Sequence, residues 1–368
     1  GIIQVGQKIG VLDTFFGNLA IGYADNGVCY SFVITWMDTG IDKPEEYSAQ
    51  AMKDIFDKDE LGDDGIYTPG KDDDTNAGDT PNILYLQLES FFDPYLVKGL
   101  EFSQDPIPYF RSLMDEYSTG ELIVPSVGAG TANVEFEVMT GISARFFGPG
   151  EYPYKSVLKE ETCETTAYDL KQLGYSTHAI HNHRGAFYYR NIVFANMGFD
   201  TFTCLEYMNN VMKTPKNWAK DGILTENIMS ALKSTKNKDY IYTISVQGHG
   251  RYPDEQVLET PLITCDNAAT EELKWNYEYY ANQIYEMDLF VKELTEVLSN
   301  YDEDVILIMY GDHLPALDMT ADDLKTGDLY ASQYVIWDNF GMAKEDKDLT
   351  TYELNAEVMD RLGISVGM

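Results

Sequence analysis

Three stretches of this chain are apolar at nearly every position: Ile83-Leu84-Tyr85-Leu86-Gln87-Leu88, Tyr240-Ile241-Tyr242-Thr243-Ile244-Ser245-Val246 and Asp304-Val305-Ile306-Leu307-Ile308-Met309-Tyr310. Runs this short with so little polar alternation read as strands buried on both faces, which requires helices on both sides of a sheet. Ser176–Ile180 and Glu121-Leu122-Ile123-Val124-Pro125 read as further strands. Helix-like segments lie between them. Over Glu271–Ser299 the residues Leu273, Tyr277, Tyr280, Ile284, Met287 and Val291 recur at helical spacing, and a second helix is predicted over Tyr188–Met197. The alternation implies an α/β fold with a mainly parallel sheet flanked by helices, and a small C-terminal α+β portion. Ligands in such folds gather at the carboxyl ends of the strands.

That rule gathers the candidate chemistry. Glu89 follows the first strand, Thr131 the Ile123 strand, His181 and His183 the Ser176 strand, His249 the Tyr240 strand, and Asp312 and His313 the Asp304 strand. Thr131 lies in Val127-Gly128-Ala129-Gly130-Thr131-Ala132-Asn133-Val134-Glu135-Phe136-Glu137, a strand-to-helix turn with two glycines before a hydroxyl. Glycine permits close backbone approach, and a helix N-terminus offers unpaired N–H groups to an anion. Thr131 is thus a candidate nucleophile facing a phosphate; as a lone threonine at such a turn it reads more simply as a helix N-cap. Gly311-Asp312-His313-Leu314-Pro315 places a carboxylate and an imidazole side by side. With Glu89 and Thr131 they make a mixed oxygen and nitrogen set suited to Mn²⁺, Mg²⁺ or Zn²⁺.

Composition narrows the partners. The chain has 368 residues and a formal net charge of −35, which argues against nucleic acid and against electrostatic adhesion to anionic lipid. No apolar run approaches the length of a bilayer span. The chain starts at Gly1 without a secretory signal, as expected of a fragment of something longer. Cys29, Cys163, Cys204 and Cys265 fit no zinc spacing. Near the N-terminus, Leu12, Phe15, Phe16, Leu19 and Ile21 suggest a helical turn or two, Phe32–Trp36 reads as extended, and Ser48 is placed to cap a following helix. From Asp57 to Thr80 the composition turns to Asp, Gly, Asn, Lys and Thr; it does not complete a calcium loop and reads as a solvated connector. The expected division is therefore 1–80, a juxtamembrane segment with an acidic linker, and 81–368, the catalytic domain.

Four stretches together carry a resemblance: Leu86-Gln87-Leu88-Glu89-Ser90-Phe91, Gly130–Phe136, Phe187-Tyr188-Tyr189-Arg190-Asn191 and Tyr310-Gly311-Asp312-His313. In them the chain resembles the extracellular domain of lipoteichoic acid synthases and related phosphoglycerol transferases, of the sulfatase and alkaline phosphatase superfamily. Upstream, Lys43–Ser48 looks like the segment joining membrane part to catalytic domain in such proteins. The resemblance implies Thr131 as nucleophile and Glu89, Thr131, Asp312 and His313 as ligands of one divalent cation, Mn²⁺ first, Mg²⁺ or Zn²⁺ as alternatives. It implies Arg190 on the substrate phosphate, with His181, Tyr188 and His249 lining a glycerophosphate pocket. Tyr188 stands where a tryptophan is common, His181-Asn182-His183 replaces the usual His-Gly-acid pattern, and Ala132-Asn133-Val134 replaces Ser-Asp-Ser. Thr131 is not a formylglycine precursor, which disfavours sulfate ester hydrolysis.

The implied activity is transfer of glycerophosphate from phosphatidylglycerol, or another phospholipid head group, to an acceptor hydroxyl on a polyglycerolphosphate chain or a glycan. It implies a membrane-tethered protein whose catalytic domain lies on the extracellular side. A phosphodiesterase or phosphoethanolamine transferase with the same nucleophile is the alternative, and a second metal around His183 and His249 would mark a two-metal hydrolase. A catalytically silent homologue that binds head groups or polymer is the reading from a different class. His178 is expected to face away from His181 and to be structural. Arg190, read without the resemblance, would pair with a surface acid.

Overall fold

The computed structural model describes residues 2–364 apart from 38, 42, 44, 45 and 58–79. Most of the predicted acidic connector lies outside the described residues, as do Pro44 and Glu45 of the upstream motif. The strands are β1 Asn82–Leu88, β2 Ser118–Ile123, β3 Ser176–His181, β4 Thr201–Cys204, β5 Asp239–Ile244, β6 Val305–Gly311, β7 Ala331–Asp338 and β8 Leu349–Thr350. They form one sheet in the order β4-β3-β5-β1-β6-β7-β2-β8. Only β7 runs against the others, pairing antiparallel with β6 and with β2. This is a mainly parallel α/β sheet, with the C-terminal α+β portion, β7, β8 and the helix Thr351–Arg361, completing the same sheet.

The apolar runs became the central strands because each is covered on both faces. Ile83 and Tyr85 of β1 point into one core with the helix Thr131–Thr140 and the C-terminal helix. Leu84, Leu86 and Leu88 point into the other, under the helix Glu271–Ser299. All seven β1 and all seven β6 positions are buried. The long helix is capped by the Thr270 hydroxyl, which accepts from Leu273 N, and it has the predicted bounds.

Two local expectations are corrected. Phe32–Trp36 is not extended; it lies within the helix Val28–Met37. Its β-branched and aromatic residues favour a strand, but it packs as a hairpin on the helix Leu19–Asn26, with Ser31 Oγ donating to Gly22 O. The helix predicted over Tyr188–Met197 begins only at Arg190, because Tyr188 and Tyr189 both take left-handed backbone (φ 56° and 59°). Ser48 does cap the helix Ala49–Asp57, accepting from Ala51 N at 3.0 Å. Among the described residues no helix is long and apolar enough to cross a membrane.

Candidate active site

The carboxyl edge of the sheet holds the predicted residues, and backbone geometry there is specific. Glu89 leaves the end of β1 with its N–H donated to Ser245 Oγ at 2.9 Å. Ser90, in left-handed backbone (φ 51°), donates its N–H to Asp312 Oδ1 at 2.7 Å. Asp312 N in turn donates to Leu88 O at 3.2 Å. The turns after β1, β5 and β6 are thus tied together. Gly248 and Gly311 permit this: a Cβ on either would fall 2.1 Å from Glu89 O or 1.9 Å from Phe91 O.

Thr131 reaches this edge from farther off, since β2 is separated from β1 by β6 and β7. The connecting loop runs back across the sheet, anchored by Gly128 N donating to Leu314 O at 3.0 Å. Thr131 is the first residue of its helix, not the cap; Gly130 occupies the cap position with φ 103°. The threonine hydroxyl donates to Glu89 Oε2 at 3.1 Å and lies 3.5 Å from His313 Nε2. Behind it, Gln87 Nε2 donates to Thr131 O at 3.1 Å, and the Gln87 amide oxygen accepts from Tyr242 Oη and Tyr310 Oη.

Glu89, Asp312 and His313 each offer a ligand atom, and these atoms lie within 4.8 Å of one another. The residues fit a divalent cation on three counts. All three are buried. Asp312 Oδ2 is buried with no hydrogen-bond partner. His313 directs Nδ1 to Leu314 O at 3.0 Å, which leaves Nε2 as the lone pair facing the carboxylates, 3.5 Å from Asp312 Oδ2 and 3.8 Å from Glu89 Oε1. Burial and the Glu89 charge push the Asp312 carboxyl well up, against the pull of His313. Burial also works to raise Glu89, but His249, bonded at 2.8 Å, outweighs it with His313 and the Thr131 hydroxyl and holds Glu89 low. With two carboxyls buried side by side, a divalent ion held there would favour the ionised form of each.

Next to this cluster is an open cleft whose lining includes Glu89, Thr131, His181, His183, Tyr188, Arg190 and His249. Arg190 does not pair with a surface acid. Its Nε donates to Glu135 Oε2 at 3.1 Å and its Nη2 to Glu135 Oε1, both side chains being almost wholly buried. Its Nη1 is buried without a partner. The Tyr188 ring stacks on Tyr152 with centroids 5.4 Å apart, and the Arg190 guanidinium lies 5.1 Å from the Tyr188 ring centre.

His181 Nδ1 bonds Ile244 O at 2.8 Å, so a neutral ring presents Nε2 as an acceptor. Burial and Arg190 hold its pKa well below the usual histidine range. His249 is opposite: burial lowers it, but Glu89 overrides this and raises it. His183 joins the cleft without joining the metal cluster, lowered to about 4 by burial and by Arg190. His178 lies on the other face, bonded to Thr201 Oγ1 and Asp239 Oδ1.

Three cleft or supporting residues were given no role by the sequence reading: Trp218, whose ring centre is 4.4 Å from that of His249; Phe187, 4.9 Å from His183; and Glu135. Trp218 sits in a polar loop without periodicity, so only its lone aromatic character marked it. The cysteines are all free thiols.

A threonine hydroxyl thus lies within bonding distance of a carboxylate and histidine cluster at the carboxyl edge of this sheet. The chain belongs to the sulfatase family, whose model matches residues 81–364. It is 29% identical over 295 residues to a Rhizobium meliloti protein described as a "Putative cyclic beta-1,2-glucan modification protein", an alignment covering 80% of this chain and 43% of that protein, so the chain spans less than half of its relative's length. Its fold is similar to the phosphoglycerol transferase GacH of Streptococcus pyogenes, solved with sn-glycerol-1-phosphate (TM-score 0.74, 22% identity, 88% of this chain and 85% of that one). It is also similar to the lipoteichoic acid synthase LtaP of Listeria monocytogenes (TM-score 0.61, 19% identity, 86% and 78%).

Proposed function

We propose that this chain is the catalytic part of an extracytoplasmic, metal-dependent phosphoglycerol transferase. It takes glycerophosphate from phosphatidylglycerol or a related head group and passes it to an acceptor hydroxyl on a polyglycerolphosphate chain or a glycan. One observation carries the reading: the Thr131 hydroxyl bonds Glu89 within the Glu89–Asp312–His313 cluster, in a cleft also lined by Arg190, whose Nη1 has no partner.

A divalent cation held by Glu89, Asp312, His313 and Thr131 Oγ1, Mn²⁺ in our reading with Mg²⁺ or Zn²⁺ as alternatives, would acidify the hydroxyl and draw charge from the phosphoryl oxygens. The chain's own residues do the rest. Thr131 Oγ1 forms the bond to phosphorus as the bond from phosphorus to the diacylglycerol oxygen breaks. The threonine proton passes to solvent, and His249 gives a proton to the departing diacylglycerol oxygen. His249, with Nδ1 on Glu89 and a raised pKa, suits the donor role. Arg190 Nη1 donates to a phosphoryl oxygen. In the second half, an acceptor hydroxyl displaces Thr131 Oγ1. His181 Nε2, held as an acceptor, takes a hydrogen bond from that hydroxyl or from the glycerol.

Sulfate ester hydrolysis is disfavoured because Thr131 cannot give formylglycine. Phosphoethanolamine transfer and phosphodiester hydrolysis use the same nucleophile. Among the described residues the metal cluster does not include His183 or His249, which supports one metal over two. Intact mass after incubation with a phosphatidylglycerol analogue tests the reading. A glycerophosphate-sized adduct is expected on the native chain and none on Thr131→Ala that still binds Mn²⁺. Turnover retained by Thr131→Ala would overturn the mechanism.

A further inference from the structure

Arg190 is tied in a way that limits what it can bind. A free guanidinium grips phosphate through two nitrogens at once. Here Nε and Nη2 are both taken by Glu135, and only Nη1 is left without a partner. Glu135 sits one helical turn after Thr131 on the same helix, so the arginine is registered to the nucleophile's own element. Glu135 is fully buried and Arg190 nearly so, and burying an ion pair carries a desolvation cost that such a pairing must offset. On the cleft side the Tyr188 ring lies against the guanidinium.

Resting on the reading of this cleft as a phosphoryl site, we propose that Glu135 makes it selective for phosphodiesters over phosphate monoesters. It does so by holding Arg190 so that one nitrogen, and almost no net charge, faces the cleft. A monoester near pH 7 carries between one and two negative charges on three terminal oxygens. A diester carries one charge on two. The paired Arg190 and Glu135 supply one donor edge and leave a second charge uncompensated. Every species in the transfer cycle is a diester: the lipid substrate, the Thr131 adduct and the extended product. A monoester forms only when water replaces the acceptor. Glu135 is therefore a positioning residue that matches the site to transfer.

The test is calorimetric titration of the whole chain with sn-glycerol 1-phosphate, a monoester, and bis(glyceryl) phosphate, a diester. Glu135→Gln, nearly the same in shape, is expected to shift the affinity ratio toward the monoester by roughly tenfold or more, the scale of one charge-assisted hydrogen bond. Glu135→Asp, which keeps the charge, should shift it less. If Glu135→Gln weakens or strengthens both ligands equally, Glu135 is only structural and the proposal falls. Should that variant fail to fold, Glu135→Asp carries the test, and an unchanged ratio there also overturns the proposal. Failure of the native chain to bind either ligand would instead overturn the reading of the cleft as a phosphoryl site.

Discussion

At the scale of single residues, the site depends on which atom of each side chain is already committed. His313 directs Nδ1 to Leu314 O, and His249 directs Nδ1 to Glu89 Oε1. The first leaves a lone pair at Nε2 for the proposed cation; the second orients a carboxylate of the same proposed set. Outer partners of metal ligands typically contribute 10–100-fold to affinity. His249→Ala is therefore expected to weaken Mn²⁺ binding by about 10–100-fold while the fold persists. Metal titration followed by calorimetry, with a melting curve as control, checks this; unchanged affinity would remove His249 from the support of Glu89. Thr131 makes the same point. Its neighbours in sequence suggested a cap, but Gly130 has taken that position and freed the hydroxyl for Glu89.

Elements deliver these atoms through a few constrained turns. Gly130 holds φ 103°, and a Cβ there would lie 2.4 Å from Ser126 Oγ. Left-handed backbone costs an ordinary residue roughly 1–2 kcal/mol, before any clash. Gly130→Ala should lower stability by about that amount or more and slow adduct formation at Thr131 further than the melting shift accounts for. Rates measured well below the melting transition separate the two effects. A variant with native rate and lowered stability would show that the turn does not aim the hydroxyl. The N-terminal helices contribute to the same loop: Asn18 Nδ2 donates to Val127 O at 2.8 Å while its Oδ1 caps the helix that follows. Strain is also held at Tyr188 and Tyr189, the consecutive left-handed residues immediately before Arg190.

Across the molecule as a whole, charge weighs most heavily. The formal net charge is −35, and self-repulsion of that size opposes the compact state. Several carboxyls are also buried. Asp221 and Asp288 are pushed up to about 6 by burial, and Asp169 up to about 6 by burial and by Glu164 beside it. An unfolded Asp titrates near 3.9, so each of these binds its proton more tightly when folded. The stability they add is fully present below the unfolded value and is lost as pH rises through about 6. The melting temperature of the cation-free chain is therefore expected to rise as pH falls from about 8 to about 5.5, and to rise with salt at the upper end. Differential scanning calorimetry checks both. A melting temperature that falls over that interval would mean that His181 and His183, whose lowered pKa makes them lose stability as pH falls through about 6.5, outweigh these three.

The layered α/β class was legible in the residue order, because runs such as Ile83–Leu88 and Val305–Tyr310 can be buried only on both faces of a sheet. So was the Glu271–Ser299 helix, through the repeat of its apolar residues. The strand ends that carry polar chemistry were legible too, since those residues directly follow apolar runs. Other features emerge only when the chain is closed in three dimensions. The sheet order that sets β2 apart from β1, and the loop that returns Thr131 to Glu89, depend on contacts distant in sequence. The pairing of Glu135 with Arg190 and the entry of Trp218 into the cleft have no periodic signature. The helix over Val28–Met37 formed despite the strand-like composition of Phe32–Trp36. Local pattern reports how a segment buries its own side chains; which buried side chains then meet is settled by the closure of the whole sheet.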